Sequence, residues 1–87
     1  MTSEGENVPH VHIRHFPKDF TDEGRQRLAT ALTAVVTAHF GTYDGAVSIA
    51  LEPVPAEDWT ETVVVPEIQG RADLVIKKPA YAKENQS

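Results

Sequence analysis

The chain has 87 residues, a net charge of −5, 40% hydrophobic and 24% charged residues, and no cysteine. A lone core near this size supplies roughly 3–5 kcal/mol, and without cysteine the usual supplements reduce to oligomerisation, since disulfides and thiolate zinc sites are excluded. The acidic balance argues against a nucleic-acid surface, no apolar run approaches a membrane span, and the polar start reverses the design of a signal peptide, so a cytoplasmic protein with neither of those partners is expected.

Residues 1–8 carry Glu4 and Glu6 and read as a flexible N-terminal leader. Val11 and Ile13 then alternate with His10, His12 and Arg14, the period-2 signature of a strand over about 10–16. Pro17 interrupts it. Thr21 is a good N-cap, and Asp22 and Glu23 suit the positive end of a helix dipole. Leu28, Leu32, Val35, Val36, His39 and Phe40 lie along one helical face, and Gly41 is a natural C-cap, which predicts a helix over 22–40.

Val47, Ile49 and Leu51 alternate again, predicting a second strand over 46–52 that ends at Pro53 and Pro55. Residues 56–59 read as a helical turn. Thr62 to Val65 fit either a short strand or an extended connection. Pro66 at a first helical position, with Ile68, Ala72, Leu74, Val75 and Ile76, predicts a shorter second helix over 67–76, weakened by Gly70 and closed by Lys77, Lys78 and Pro79. The folded domain is expected over 9–79, with a polar tail over 80–87. Strand, long helix and strand with short connections form a β-α-β unit with parallel strands. Such a unit leaves open sheet edges, so oligomerisation should complete the sheet.

Candidate chemistry is sparse. His10 and His12 share one strand face and His15 takes the other, an arrangement better suited to solvated or interface imidazoles than to a metal site. No metal or other cofactor is expected. His39 reads as an edge-of-core imidazole. Ser48 lacks a nucleophile elbow, and the acidic pairs Asp22–Glu23 and Glu57–Asp58 are explained by helix starts. Trp59 fits a core position and a pocket wall equally well.

The run from Pro9 to Lys18, then Thr21 to Glu23, Ser48 to Leu51, Pro55 to Trp59 and Ile76 to Tyr81, resembles the tautomerase superfamily, the 4-oxalocrotonate tautomerase group. Within it the chain is most similar to the longer, phenylpyruvate-type bacterial subgroup, which adds a C-terminal helix. The resemblance spans residues 9–81 and rests on the order of these segments. It implies a homo-oligomer, a dimer rather than a hexamer, acting on a 2-oxo acid or its enol. It also implies that the secondary amine of an N-terminal proline is the acid–base catalyst, here Pro9. Lys18 stands in the loop where the family often has a carboxylate-binding arginine, and Trp59 falls where an aromatic pocket residue is usual. Ser48 stands where the family's second cation is expected. Arg14, Arg71, Lys77 and Lys78 are the other cations that a neighbouring subunit could supply.

Val8 precedes Pro9, so in the 87-residue chain the proline nitrogen is a tertiary amide without a basic lone pair. Two readings follow. Loss of residues 1–8, by initiation at the Val8 codon or by proteolysis, exposes the amine and gives a tautomerase. Alternatively the leader is retained, and the chain is a non-catalytic binding or assembly module on the same scaffold.

Overall fold

A computed structural model describes residues 7–81. Most of the expected leader (1–8) and of the expected tail (80–87) lies outside the described residues. Strand β1 (His10–His15) is followed by helix α1 (Asp22–Phe40) and strand β2 (Ser48–Pro53). The strands pair in parallel, with His10 opposite Ser48, Ile13 opposite Leu51 and Arg14 opposite Glu52. This is the expected β-α-β unit.

Local chemistry sets the limits of α1. The Thr21 side chain accepts from the Gly24 N–H at 2.9 Å, with Asp22 and Glu23 in the first turn. At the other end Gly41 adopts φ 65°, and its N–H reaches the Thr37 carbonyl at 2.9 Å. The second strand begins at Ser48 rather than at 46, because Asp44–Ala46 form a 3₁₀ turn closed by the Val47 N–H on the Asp44 carbonyl. Its last residue is Pro53, opposite His15, and the following Val54 N–H takes up the His15 carbonyl at 2.7 Å.

The second helix differs from expectation. It runs over Thr60–Gln69, is wound as a π-helix, and carries Pro66 inside it. The residues expected to be a strand or connection are therefore helical. Beyond Gly70, the expected helical stretch up to Ile76 retains only a 3₁₀ turn over Ala72–Leu74, and Lys77 and Lys78 cap no helix. Burial decides this. Val63 and Val64 are 8% and 4% exposed, and with Val54 they form the buried core of the described residues. Burying two adjacent valines outweighs the strand preference of the run. Gly70 closes the helix by donating to the Val65 carbonyl at 2.7 Å. A Cβ there would stand 2.8 Å from the Pro66 carbonyl oxygen, so the glycine is a steric requirement of the helix end.

The two faces of the sheet are unlike. Ile49, Leu51 and His15 share a cleft with Leu28 and Ala29, which places α1 over that face. The opposite face carries His10, His12 and Arg14 against Ser48 and Glu52. There Arg14 Nε donates to Glu52 at 3.1 Å, and its guanidinium also reaches the Thr62 carbonyl at 3.1 Å and Glu67 at 3.7 Å. A two-stranded sheet is too narrow to cover α1. The helix has no buried residue, Val35 and Phe40 are more than half exposed, and His39 lies in solvent rather than at the edge of a core. No helix among the described residues is long and apolar enough to cross a membrane.

Two stability predictions follow from this geometry. Gly41→Ala forces a β-carbon into the left-handed region, and thermal unfolding should show a loss of about 1 kcal/mol. The second concerns Glu52. Its hydrogen bonds from Arg14, then from His12, hold the carboxyl below its ordinary range. A depressed folded-state pKa stabilises the fold above the unfolded value, and that contribution is lost as pH falls through the folded one. Denaturant titrations at about pH 7 and about pH 3 should therefore show Glu52→Gln less stable than wild type at neutral pH but losing less on acidification.

Candidate active site

Pro9 is half-buried immediately before β1, and its carbonyl accepts from the Ser48 N–H at 3.2 Å. The strand pairing thus brings two of the sequence candidates to one end of the sheet. On the neighbouring position the Ser48 hydroxyl lies 2.6 Å from His10 Nδ1. The chain just before Pro9 is anchored as well. The Asn7 side-chain amide donates to the Phe40 carbonyl at 3.3 Å, and the Thr42 hydroxyl donates to the Asn7 carbonyl at 2.7 Å.

Lys18 and Trp59 belong to the other end. Lys18 follows β1 in an exposed loop, with Nζ 5.4 Å from the centre of the Phe20 ring. Trp59 stacks edge-on against Phe16 with ring centroids 5.0 Å apart, and its indole N–H donates to the Tyr81 hydroxyl at 3.0 Å. At about 3.3 Å per residue, the strand sets Phe16 roughly 20 Å from Pro9. A single protomer therefore groups Pro9 with Ser48 and leaves Lys18 and Trp59 near the carboxyl ends of the strands. Trp59 is half-buried and packs edge-on against Phe16, outside the buried core of Val54, Val63 and Val64.

Of the remaining cations, Arg14 is committed to Glu52 and Glu67, and Arg71 lies 3.8 Å from Glu67. Lys77 and Lys78 are exposed. His12 Nε2 meets Glu52 at 2.8 Å, so this histidine belongs to the charged network. Among the described residues no group of three or more His, Cys, Asp or Glu side chains is arranged to hold a metal ion. Sequence reasoning passed over the Arg14–Glu52 pairing, although the strand register aligns the two residues directly.

A family model described as "Tautomerase enzyme" matches residues 9–68, beginning at Pro9 itself. The chain is 43% identical over 75 residues to the tautomerase PptA of Enterobacter sp. (strain 638), covering 86% of this chain and 99% of that protein. The tautomerase PptA of Klebsiella pneumoniae (strain 342) is 39% identical over 75 residues, with the same shares covered. That of Pectobacterium carotovorum subsp. carotovorum (strain PC1) is 33% identical over 75 residues, again covering 86% and 99%. With its parallel β-α-β unit and the short helix that follows, the chain belongs to the tautomerase family and is an isomerase of that class.

Proposed function

We propose that the protein catalyses enol–keto tautomerisation of an aryl or alkyl 2-oxo acid, with the amine of Pro9 as acid–base catalyst once residues 1–8 are absent. The observation that carries this reading is the start of the family match at Pro9, the first residue before β1. An α-amino group titrates at about 7.7–8.0, and an apolar setting or neighbouring cations lower it further, which brings the base near neutral pH, where acid–base catalysis is most efficient. The neutral amine takes the enol hydroxyl proton as the C–O bond becomes a carbonyl. The resulting ammonium returns a proton to the adjacent carbon, whose double-bond electrons form the new C–H bond. Proton count and charge balance without a cofactor.

The rest of the proposed site comes from more than one copy of the chain. Pro9 and Ser48 would be joined by Lys18, binding the substrate carboxylate, and by the Trp59–Phe16 wall of a second copy, a reading supported by the separation of the two sheet ends. Open strand edges and the half-exposed Val35 and Phe40 support a homo-oligomer, for which we favour a dimer. Its setting would be the cytoplasm.

The anchoring of Asn7 by Phe40 and Thr42 favours a second reading, in which the segment before Pro9 is a retained part of the fold and the chain is a non-catalytic module. The two readings separate cleanly in an assay of phenylenolpyruvate ketonisation. Protein beginning at Pro9 should be active, the 87-residue chain should be inactive, and Pro9→Ala in the short form should lower kcat/KM by at least about a hundredfold, in the range typical of a lost general acid–base. Equal activity of the long and short forms would remove the proline mechanism. Inactivity of both would favour the module.

A further inference from the structure

Trp59 is the single tryptophan of the chain, and side chains from two distant parts of the sequence meet its indole. Phe16, just past β1, packs edge-on with ring centroids 5.0 Å apart and planes at 84°. Tyr81 takes the indole N–H on its hydroxyl at 3.0 Å. The two contacts constrain different things. The χ2 torsion of a tryptophan is broad and roughly two-fold, so a ring contact alone does not fix which edge of the indole points where. A hydrogen bond does, because the indole has one donor and no acceptor. With its N–H directed at Tyr81, the ring takes one orientation against Phe16.

The segment that delivers Tyr81 has little else to hold it. After the 3₁₀ turn at Ala72–Leu74, Ile76 is fully exposed, and Lys77 and Lys78 are exposed as well. Pro79 has no N–H to donate. Among the described residues, the Trp59–Tyr81 bond is the one hydrogen bond that joins 76–81 to the rest of the fold. Tyr81 is itself 45% exposed, which leaves its hydroxyl as the specific attachment.

We propose that Tyr81 is a positioning residue, whose hydroxyl fixes the orientation of Trp59 against Phe16 and thereby sets how strongly an aryl substrate is favoured over an alkyl one. Tyr81 acts through Trp59 and touches no reacting atom. The selectivity rests on the proposed Pro9 reaction, in which Trp59 and Phe16 wall the site; the positioning does not.

The test compares Tyr81→Phe with the parent chain in two readouts. The first needs no catalysis and uses the 87-residue protein. Its proton–nitrogen spectrum contains one indole N–H signal. Tyr81→Phe should move that signal upfield and speed its exchange with solvent about threefold or more, as loss of one neutral hydrogen bond allows. Backbone signals of α1 should stay in place. The second readout uses the form of the chain that ketonises phenylenolpyruvate. Tyr81→Phe should raise KM for this substrate about threefold with kcat nearly unchanged, the pattern of a lost binding contact. Enolpyruvate, which has no aryl group, should be unaffected. In Trp59→Phe, which keeps a ring but has no N–H, Tyr81→Phe should change neither constant.

An indole signal unmoved by Tyr81→Phe would overturn the positioning. So would collapse of the whole backbone spectrum, which would make Tyr81 a residue of the core. Equal losses for the two substrates, a loss in kcat alone, or an undiminished effect in Trp59→Phe would overturn the selectivity. If no form of the chain ketonises phenylenolpyruvate, the Pro9 reading fails and the selectivity with it, while the indole signal still decides the positioning.

Discussion

Arg14 joins the two halves of the protomer. It projects from β1 on the face that α1 leaves uncovered, and it donates at once to Glu52 on β2 and to the Thr62 carbonyl of the second helix, with Glu67 close by. Its side chain is 28% exposed, so part of its hydration is lost. Several anionic and carbonyl acceptors offset that loss better than one could. A guanidinium is suited to the task because its donors form a rigid planar fork that serves separate partners simultaneously. The helix so attached carries Val63 and Val64, which with Val54 are the buried residues of the described chain. The same attachment brings the start of the helix, and with it Trp59, to Phe16. Neutralising Glu52 therefore affects more than one exposed ion pair, because the arginine shared by strand and helix loses its strongest acceptor.

Elements governed by their own residues were legible in the sequence. The long helix has its start and stop in Thr21 and Gly41, and its apolar stripe lies between them, so nothing distant is needed to define it. The strands announce themselves by period-2 alternation, which also placed His10 and His12 on one face and His15 on the other. The second helix was misplaced because its local signals conflict. Three consecutive valines favour a strand, Pro66 looks like a helix start, and Gly70 looks like a weak interior. What decides is burial of Val63 and Val64, a tertiary effect that no local window contains. Gly70 proved to be a matter of space at the helix end, visible only once the Pro66 carbonyl is placed.

The candidate site divides in the same way. Pro9 and Ser48 adjoin because parallel pairing in register requires it, so that part could be derived from the β-α-β unit alone. The relation of Lys18 and Trp59 to them could not, since a strand's length separates them within one chain. The bond from Trp59 to Tyr81 was equally invisible. It joins two residues 22 positions apart, and no sequence spacing links them.

The segment before Pro9 decides whether its nitrogen is an amide or an amine. Asn7 makes two hydrogen bonds, both solvent-exposed, to the end of α1 and to Thr42. Such bonds contribute about 0.5–1.5 kcal/mol each at most, because water replaces the lost partner. Neither end of α1 depends on them: Gly41 already caps the helix through Thr37, and the Thr42 N–H donates to the same carbonyl. Pairing of β1 with β2 begins at the Pro9 carbonyl, which is present in either form of the chain. Loss of the Asn7 contacts therefore leaves the cap of α1 and the pairing of β1 with β2 in place. What changes between the forms is one nitrogen atom, from an amide that cannot accept a proton to an amine that titrates near neutrality.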